Sequence, residues 1–265
     1  MPQPFIEPVV FGVLNVTPDS FSDGGRYLDR DAAIRHGQAL VQAGADVVDV
    51  GGESTRPGAE PVDPREESDR VLPVVEGLVA HGIRVSIDTR RASVAAGAVS
   101  AGASIVNDVD GGRDPGLLRV AAERGVELVL MHSRGPSARD GGYQDPVREV
   151  AAELRTRVDT AVAAGVDPGR LVIDPGIGFS KAPDENWRLL AHLDDLRIDG
   201  LRMLVGVSRK RFLGELVGGT AADRDGVTAV LSALLAERGV WGLRVHDPAA
   251  TRAALAAVRR MREAA

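Results

Sequence analysis

Polar side chains end several of the short apolar runs in this sequence, and their types suit the binding of a flat heterocycle. The run LVID ends at Asp174, directly before the turn-forming residues Pro175 and Gly176. Asp88 ends the run VSID, and Asn107 follows the apolar residues of ASIV. Two carboxylates and an amide can pair with a ring that presents several N–H donors and one carbonyl group. These three side chains therefore predict a site for such a ring.

Other residues beside these runs would add apolar surface and positive charge. Met131 and Phe179 would lie against the ring. Four side chains could supply positive charge to phosphate or carboxylate groups, namely Arg56, Lys210, Arg244 and His246. Asn15 offers an amide oxygen, which is a hard ligand that suits Mg²⁺ bound between phosphate oxygens.

Each of these residues also has an ordinary structural explanation. Asp88 precedes Thr89 and could cap the next helix, and Asn107 with Asp108 could form a turn. Lys210 lies in the run SRKR, which is typical of a solvated surface. A histidine read alone is more often structural, and this applies to His246 and to the other four, His36, His81, His132 and His192. The whole pattern favours a site, because six or seven apolar runs end in a polar group.

Alternating strands and helices must position these residues. The predicted strands are Val9–Val16, Ala45–Val50, Arg84–Thr89, Ser104–Val109, Glu127–His132, Leu171–Asp174, Arg202–Ser208 and Gly242–Asp247. The predicted helices are Arg30–Gln42, Pro64–Ala80, Ser93–Ser100, Gly116–Glu123, Val147–Ala164, Asn186–Leu196, Arg224–Glu237 and Ala249–Arg262. This order implies parallel strands with right-handed crossovers.

Eight such units predict an α/β fold, the closed (β/α)8 TIM barrel, in which the carboxyl ends of the strands converge on one mouth. The runner-up is a doubly wound open sheet, which would more often carry a glycine-rich fingerprint after its first strand. No such fingerprint follows the first predicted strand here. The barrel is therefore the first choice.

Composition limits the class of protein. The 265 residues are 44% hydrophobic and 26% charged, and no linker divides them, so we expect one domain over residues 1–265. The absence of cysteine excludes disulfides and thiolate metal sites. A net charge of −6 argues against a nucleic-acid-binding surface. No apolar run approaches the ~20 residues of a membrane span. The first residues, MPQPFIEPVV, lack the pattern of a signal peptide, so we expect a cytoplasmic protein.

Seven motifs, in order, resemble the dihydropteroate synthase family. They are NVTPDSFSDGG (15–25), GGESTRPG (51–58), SIDT (86–89), NDV (107–109), DPGIGF (174–179), SRK (208–210) and RVHD (244–247). The resemblance covers nearly the whole chain, and the first two motifs are highly specific. It implies a (β/α)8 barrel transferase that joins 7,8-dihydropterin-6-ylmethyl diphosphate to 4-aminobenzoate in folate synthesis. It also implies Mg²⁺, release of diphosphate, a homodimer and a sulfonamide target.

The resemblance also implies roles for individual residues, carried over motif by motif. The pterin pocket would be Asp88, Asn107, Asp174 and Lys210, lined by Met131 and Phe179. The diphosphate would meet Asn15, Arg244 and His246, with Asn15 also on the Mg²⁺. The aminobenzoate site would be Phe21, Ser54, Thr55, Arg56, Pro57, Lys210 and Arg211. Asp23, Asp88, Lys210 and Arg244 would act in the chemistry. Departures from the family pattern are Arg211, where many relatives have Ser, the segment SRGPSARDGG after His132, and Pro248; they affect details of the loops and leave the expected reaction unchanged.

Three other functions remain open at this point. Lys210 could form a Schiff base in an aldolase-like barrel, where Arg209 and Arg211 would lower its pKa. The chain could instead be the pterin-binding domain of a corrinoid methyltransferase, although such domains lack the SFSDGG and ESTRPG loops. A pterin-binding paralogue without catalysis, or with weak activity, is the third, and only an assay separates it from an active synthase.

Overall fold

A computed structural model describes residues 6–17, 26–53, 62–135 and 141–264 of the chain. Its eight strands pair in parallel as one closed barrel, in the order of the sequence. The strands are β1 (Val9–Asn15), β2 (Val47–Gly51), β3 (Val85–Asp88), β4 (Ile105–Asp108), β5 (Glu127–Met131), β6 (Leu171–Asp174), β7 (Arg202–Val205) and β8 (Gly242–Val245). The predicted (β/α)8 fold is therefore confirmed, and each predicted strand is present with ends that differ by at most a few residues.

Helices connect the strands and cover the outside of the barrel. Within the described residues they are α1 (Arg26–Gln42), α2 (Pro64–Ala80), α3 (Ala92–Ser100), α4 (Pro115–Arg124), α5 (Pro146–Ala163), α6 (Pro183–Ala191), α7 (Gly214–Val217), α8 (Asp225–Glu237) and α9 (Pro248–Glu263). The single helix predicted over Asn186–Leu196 is wrong. The chain leaves the α-conformation at His192 (φ −109°, ψ 32°) and continues as a 3₁₀ turn, Leu193–Leu196.

Four helices begin at an Asp-Pro pair, which fixes where each loop ends. The aspartates are Asp63, Asp114, Asp145 and Asp247, and each accepts a hydrogen bond from a backbone N–H in the first turn of its helix. Proline suits the next position because its missing N–H would have no partner there. Pro248, a departure from the family pattern, is therefore the first residue of α9, and Asp247 is its cap.

An apolar layer closes the interior of the barrel below the predicted site. It consists of Phe11, Val47, Ile105, Val129, Val172 and Leu204, all without solvent exposure. Side chains alternate across a strand, so residues two positions further along face the same interior. That step leads from Val47 to Asp49, from Ile105 to Asn107, from Val129 to Met131 and from Val172 to Asp174. The polar groups at the mouth thus stand directly above an apolar floor.

Candidate active site

The strand register places the predicted heterocycle-binding residues side by side at the carboxyl end of the barrel. Asp88 on β3 lies opposite Asn107 on β4, and Met131 on β5 lies opposite Asp174 on β6. Asn107 and Asp174 are buried, with 3% and 5% of their surface exposed. The structure therefore brings together four of the residues that the sequence grouped.

The helix cap and the turn that Asp88 and Asn107 could have formed are made by the residues that follow them, Thr89 and Asp108. The Thr89 hydroxyl, not Asp88, accepts the Arg91 N–H at the start of α3, at 3.2 Å. The turn after β4 is built by Asp108, whose carboxylate accepts the N–H groups of Asp110 and Gly112. Asp88 and Asn107 are consequently left to face the interior of the barrel.

A fully buried carboxylate, Asp49 on β2, joins this group and was missed by the sequence analysis. Its Oδ2 accepts hydrogen bonds from Arg244 Nε at 2.5 Å and from Asn107 Nδ2 at 3.1 Å. Arg244 on β8 also donates from Nη2 to Asp88 Oδ2 at 2.5 Å. Two carboxylates therefore hold Arg244 across the mouth. The available signal was a single aspartate interrupting the apolar run VVDVG.

Burial makes the carboxylates at the mouth unusually basic. Loss of solvent and, to a smaller extent, the nearby Asp49 and Glu67 raise the pKa of Asp88 to about 7, against the attraction of Arg244. Loss of solvent likewise raises the pKa of Asp174 to about 6, although Asp174 Oδ1 accepts the Gly176 N–H at 2.7 Å. Each carboxylate lacks enough polar partners of its own, and ligand N–H groups could provide them.

Lys210, which follows β7, lies over the ring of Phe179 with its Nζ 3.6 Å from the ring centre. Its pKa is lowered to about 7, first by burial and then by Arg244. Gly178 allows this contact, because a Cβ there would lie 2.7 Å from Lys210 Cδ. Arg211, the next residue, is exposed at the start of a 3₁₀ turn. Lys210 is therefore part of the mouth and not of a solvated surface.

His246, beyond the end of β8, is neutral in these surroundings. Burial and, after it, the nearby cations Arg244, Arg209 and Lys210 lower the pKa of His246 to about 3. Its Nδ1 lies 3.0 Å from the Ser208 hydroxyl, which also accepts the His246 backbone N–H. The positive charge expected of His246 toward a bound anion stays a prediction, and it requires that His246 take up a proton when the anion binds.

Asn15 ends β1 opposite Gly51 and shares the interior face with Phe11, so its amide reaches the same mouth. Among the described residues, no group of three or more acidic or histidine side chains is arranged to hold a metal ion. The amide oxygen of Asn15 is a hard donor of the kind that could hold Mg²⁺.

Six predicted residues lie outside the residues that the structure describes, namely Phe21, Asp23, Ser54, Thr55, Arg56 and Pro57. The two positions flanking residues 54–61 are held by Arg91, which bonds to Glu53 and donates to the Val62 carbonyl at 2.6 Å. Arg91 also pairs with the buried Glu67. Glu53 and Val62 are thus both tied to Arg91, which follows shortly after Asp88 in the chain.

The remaining histidines behave as expected. His132 is fully buried beside the mouth, and its Nε2 lies 2.9 Å from Glu153 Oε2 on α5. His36, His81 and His192 are exposed on the outside of the barrel.

The described part of the chain contains no helix long and apolar enough to cross a membrane.

Comparison with known proteins gives a consistent result. The model of the family described as pterin binding enzyme matches residues 11–246. The chain is 56% identical over 260 residues to the dihydropteroate synthase of Mycobacterium leprae, covering 94% of this chain and 92% of that one. It is 43% identical to the dihydropteroate synthase of Bacillus subtilis, covering 90% and 83%.

Solved structures of dihydropteroate synthases are also similar to this chain. The Xanthomonas albilineans dihydropteroate synthase with 4-aminobenzoic acid superposes with a TM-score of 0.92 at 46% identity, covering 97% of this chain and 93% of that one. The same organism's enzyme in complex with 7,8-dihydropteroate gives 0.88 at 43% identity, covering 98% and 95%.

Proposed function

The chain belongs to the pterin-binding enzyme family, and from this premise we propose that it is a dihydropteroate synthase. It joins (7,8-dihydropterin-6-yl)methyl diphosphate to 4-aminobenzoate and releases 7,8-dihydropteroate and diphosphate. One observation carries the assignment, which is the layer formed by Asp88, Asn107 and Asp174 above an apolar floor. Similar proteins with 4-aminobenzoic acid and with 7,8-dihydropteroate support both substrates.

The pterin ring lies in the polar layer. Asp174 accepts ring N–H groups, Asn107 pairs with a donor and an acceptor on the ring edge, and Asp88 lies next to Asn107 on the neighbouring strand. Met131 and Phe179 cover the ring faces. New N–H donors would favour the ionised carboxylates, because hydrogen bonds to the charged form lower a raised pKa.

The diphosphate occupies the cationic side of the mouth, near Arg244, His246 and Asn15. Arg244 presents donors that Asp49 and Asp88 hold in place, and a planar guanidinium suits phosphate oxygens. Asn15 would hold Mg²⁺, which would neutralise charge on the leaving diphosphate. The anion would raise the pKa of His246, so that binding favours its protonated form.

The substitution is dissociative. The bond from the pterin methylene carbon to the diphosphate oxygen breaks first, and the electron pair leaves with the diphosphate. The resulting cation is delocalised into the pterin ring, where the charges of Asp88 and Asp174 stabilise it. The aminobenzoate nitrogen then forms the new bond and loses a proton, and Asp23 would steady the cation or accept that proton. This path needs no covalent bond to the enzyme.

The aminobenzoate site uses Lys210 and Arg211 together with Phe21, Ser54, Thr55, Arg56 and Pro57. Lys210 is suited to bridge the two substrates, because its Nζ lies over Phe179, beside the pterin pocket. Its pKa, lowered to about 7, would rise beside an anionic substrate.

A homodimer in the cytoplasm completes the proposal. Exposed apolar side chains lie on α7 and α8, with Leu216 58%, Val230 59% and Leu234 57% exposed. A second copy covering this face would remove them from water. Light scattering on the purified protein should give twice the monomer mass, and Val230→Glu with Leu234→Glu should return it to the monomer.

A coupled assay for diphosphate release tests the function directly. Diphosphate should appear only when the pterin diphosphate, 4-aminobenzoate and Mg²⁺ are all present, with one 7,8-dihydropteroate formed per diphosphate. Asp174→Asn serves as the control for contaminating activity. Hydrolysis of the pterin diphosphate without aminobenzoate incorporation, or no turnover despite pterin binding, would contradict the assignment and favour a non-catalytic paralogue.

A further inference from the structure

The chain contains only two lysines among its 32 basic Lys and Arg residues, Lys181 and Lys210. Every other residue of this pair of types is arginine, both on the surface and in ion pairs. Both lysines lie beside the expected pterin pocket, and Lys181 has only 3% of its surface exposed. The function proposed above gives a role to Lys210 but none to Lys181. A buried ammonium needs an explanation, because burying a charge without partners is costly.

Lys181 Nζ is surrounded by acceptors from two neighbouring strand ends. It lies 2.9 Å from the Gly176 carbonyl oxygen, 3.0 Å from the Phe179 carbonyl oxygen and 3.0 Å from His132 Nδ1. The His132 carbonyl oxygen is a fourth, longer neighbour at 3.4 Å. Three close acceptors around one nitrogen match the three donors of an ammonium group, whereas the planar fork of arginine spreads its donors over several atoms.

These contacts tie the loop after β6 to the end of β5. Gly176 lies between Asp174 and Phe179 in the loop after β6. His132 directly follows Met131 at the end of β5. The loop is packed tightly there, since a Cβ on Gly176 would lie 1.9 Å from the His132 carbonyl oxygen. Lys181 Nζ therefore contacts both the backbone of Phe179 and His132, the residue after Met131, and so links the two sides of the pocket.

His132 is itself held in the orientation that this contact needs. Its Nε2 faces Glu153 Oε2 at 2.9 Å, so the ring donates to the carboxylate and accepts from Lys181 at Nδ1. Burial lowers the pKa of His132 to about 4, which keeps the ring neutral. Burial also lowers the pKa of Lys181 to about 7, while its three close acceptors and the nearby Asp174 favour the ammonium form. A glutamate, a neutral histidine and this ammonium therefore form one chain of hydrogen bonds from α5 to the loop after β6.

We propose that Lys181 is a positioning residue for the pterin pocket, and this rests on the function proposed above. Its ammonium fixes the Gly176–Phe179 segment against the end of β5, and so sets where Phe179 and Asp174 meet the pterin ring. Lys181 does not touch the substrate. The charged and titratable groups that face it are Asp174, Lys210, Arg157, Glu153 and His132.

The test compares Lys181→Met and Lys181→Arg with Leu235→Ala, which removes buried volume from α8 far from the pocket. For Lys181→Met we expect the Kd of a pterin without a phosphate tail, and the KM of the pterin diphosphate, to rise about tenfold or more. The KM for the aminobenzoate substrate should stay within about twofold of wild type. Lys181→Arg should not restore pterin affinity, and Leu235→Ala should lower the melting temperature without changing pterin affinity.

A spectroscopic measurement on wild-type protein covers the case in which Lys181→Met does not fold. With ¹⁵N-lysine labelling only two side-chain nitrogens are observed, and we expect one slowly exchanging –NH₃⁺ signal, from Lys181, that shifts when the pterin binds. The signals are assigned by Lys210→Met.

Three results would overturn the proposal. They are wild-type pterin affinity in Lys181→Met, equal changes for both substrates, and the absence of a protected ammonium signal. If wild-type protein binds no pterin at all, the proposed function fails first, and this outcome is distinct from the other three.

Discussion

Asp49 should contribute far more to the free energy of unfolding than a surface carboxylate does, because it is the buried partner of Arg244. Asp49→Asn removes the charge and keeps the shape, while Asp88 remains to compensate part of the Arg244 charge. Two charges ~4 Å apart attract by about 4 kcal/mol at an effective dielectric constant of about 20. Removing one partner of a buried pair costs about 3–5 kcal/mol. With Asp88 still in place, we expect the free energy of unfolding to fall by about 2–3 kcal/mol.

A double-mutant cycle separates this pair from general damage to the core. Urea denaturation is measured for wild type, Asp49→Asn, Arg244→Met and the double variant. When both charges are removed, neither is left buried without its partner, so the double variant should be less destabilised than the sum of the single variants by about 1.5 kcal/mol or more. Glu237→Gln, which breaks the exposed pair with Arg262, is the control and should change stability by less than about 1 kcal/mol.

Additivity within about 0.5 kcal/mol would refute this reasoning. It would mean that Arg244 does not depend on Asp49 and that the Oδ2 contact adds nothing. Asp49 Oδ1 has no hydrogen-bond partner among the described residues, so the expected loss rests on the contacts of Oδ2 alone. A neutral single variant with an unchanged melting curve would count against the pair equally.

Three further predictions concern the ligand-binding residues. Asp174→Asn should weaken pterin binding by about 1–3 kcal/mol, because an amide offers one acceptor oxygen and a mismatched NH₂ group; calorimetry giving affinity within a few-fold of wild type would exclude Asp174 as the anchor. His246→Ala should weaken diphosphate binding more than binding of a pterin without a phosphate tail, and equal losses would indicate a structural role. Asp174→Asn should also flatten the pH dependence of stability. The folded-state pKa of Asp174 is raised from 3.8 to about 6, so the folded protein keeps a proton that the unfolded chain has lost. Wild-type stability should therefore fall, relative to the variant, as pH rises from about 4 to 6, and parallel denaturation profiles would contradict this.

The sequence predicted the strands well because parallel strands buried on both faces read as uninterrupted apolar runs. Polar residues at their ends stood out against those runs, so Asp88, Asn107 and Asp174 could be grouped from the order of residues alone. The helices were found nearly as well, and glycine follows directly after one of them, α4, where Gly125 adopts a left-handed conformation. The break at His192 had no such signal, and one helix was predicted where the chain has two segments.

Asp49 and Lys181 were missed for a different reason. Asp49 lies inside an apolar run, and its importance appears only when the register of β2 places it between Arg244 and Asn107. Lys181 follows the DPGIGF motif and becomes notable only when the structure brings its nitrogen to His132, which is distant in the sequence but lies at the end of the neighbouring strand. The neutral state of His246 also needed three dimensions, because its pKa is set by burial and by cations from other elements.

The charges at the mouth are better matched to a bound substrate than to the protein alone. Burial raises the pKa of Asp88 and Asp174 and lowers the pKa of Lys210 and His246, so all four groups are driven toward their neutral forms. In the proposed complex, a pterin diphosphate would present N–H donors to the two carboxylates and an anionic tail to the two bases. Each of these contacts would favour the charged form of the protein group. The four groups should therefore be charged together when the pterin and the diphosphate are both bound, which is the arrangement from which C–O cleavage must begin.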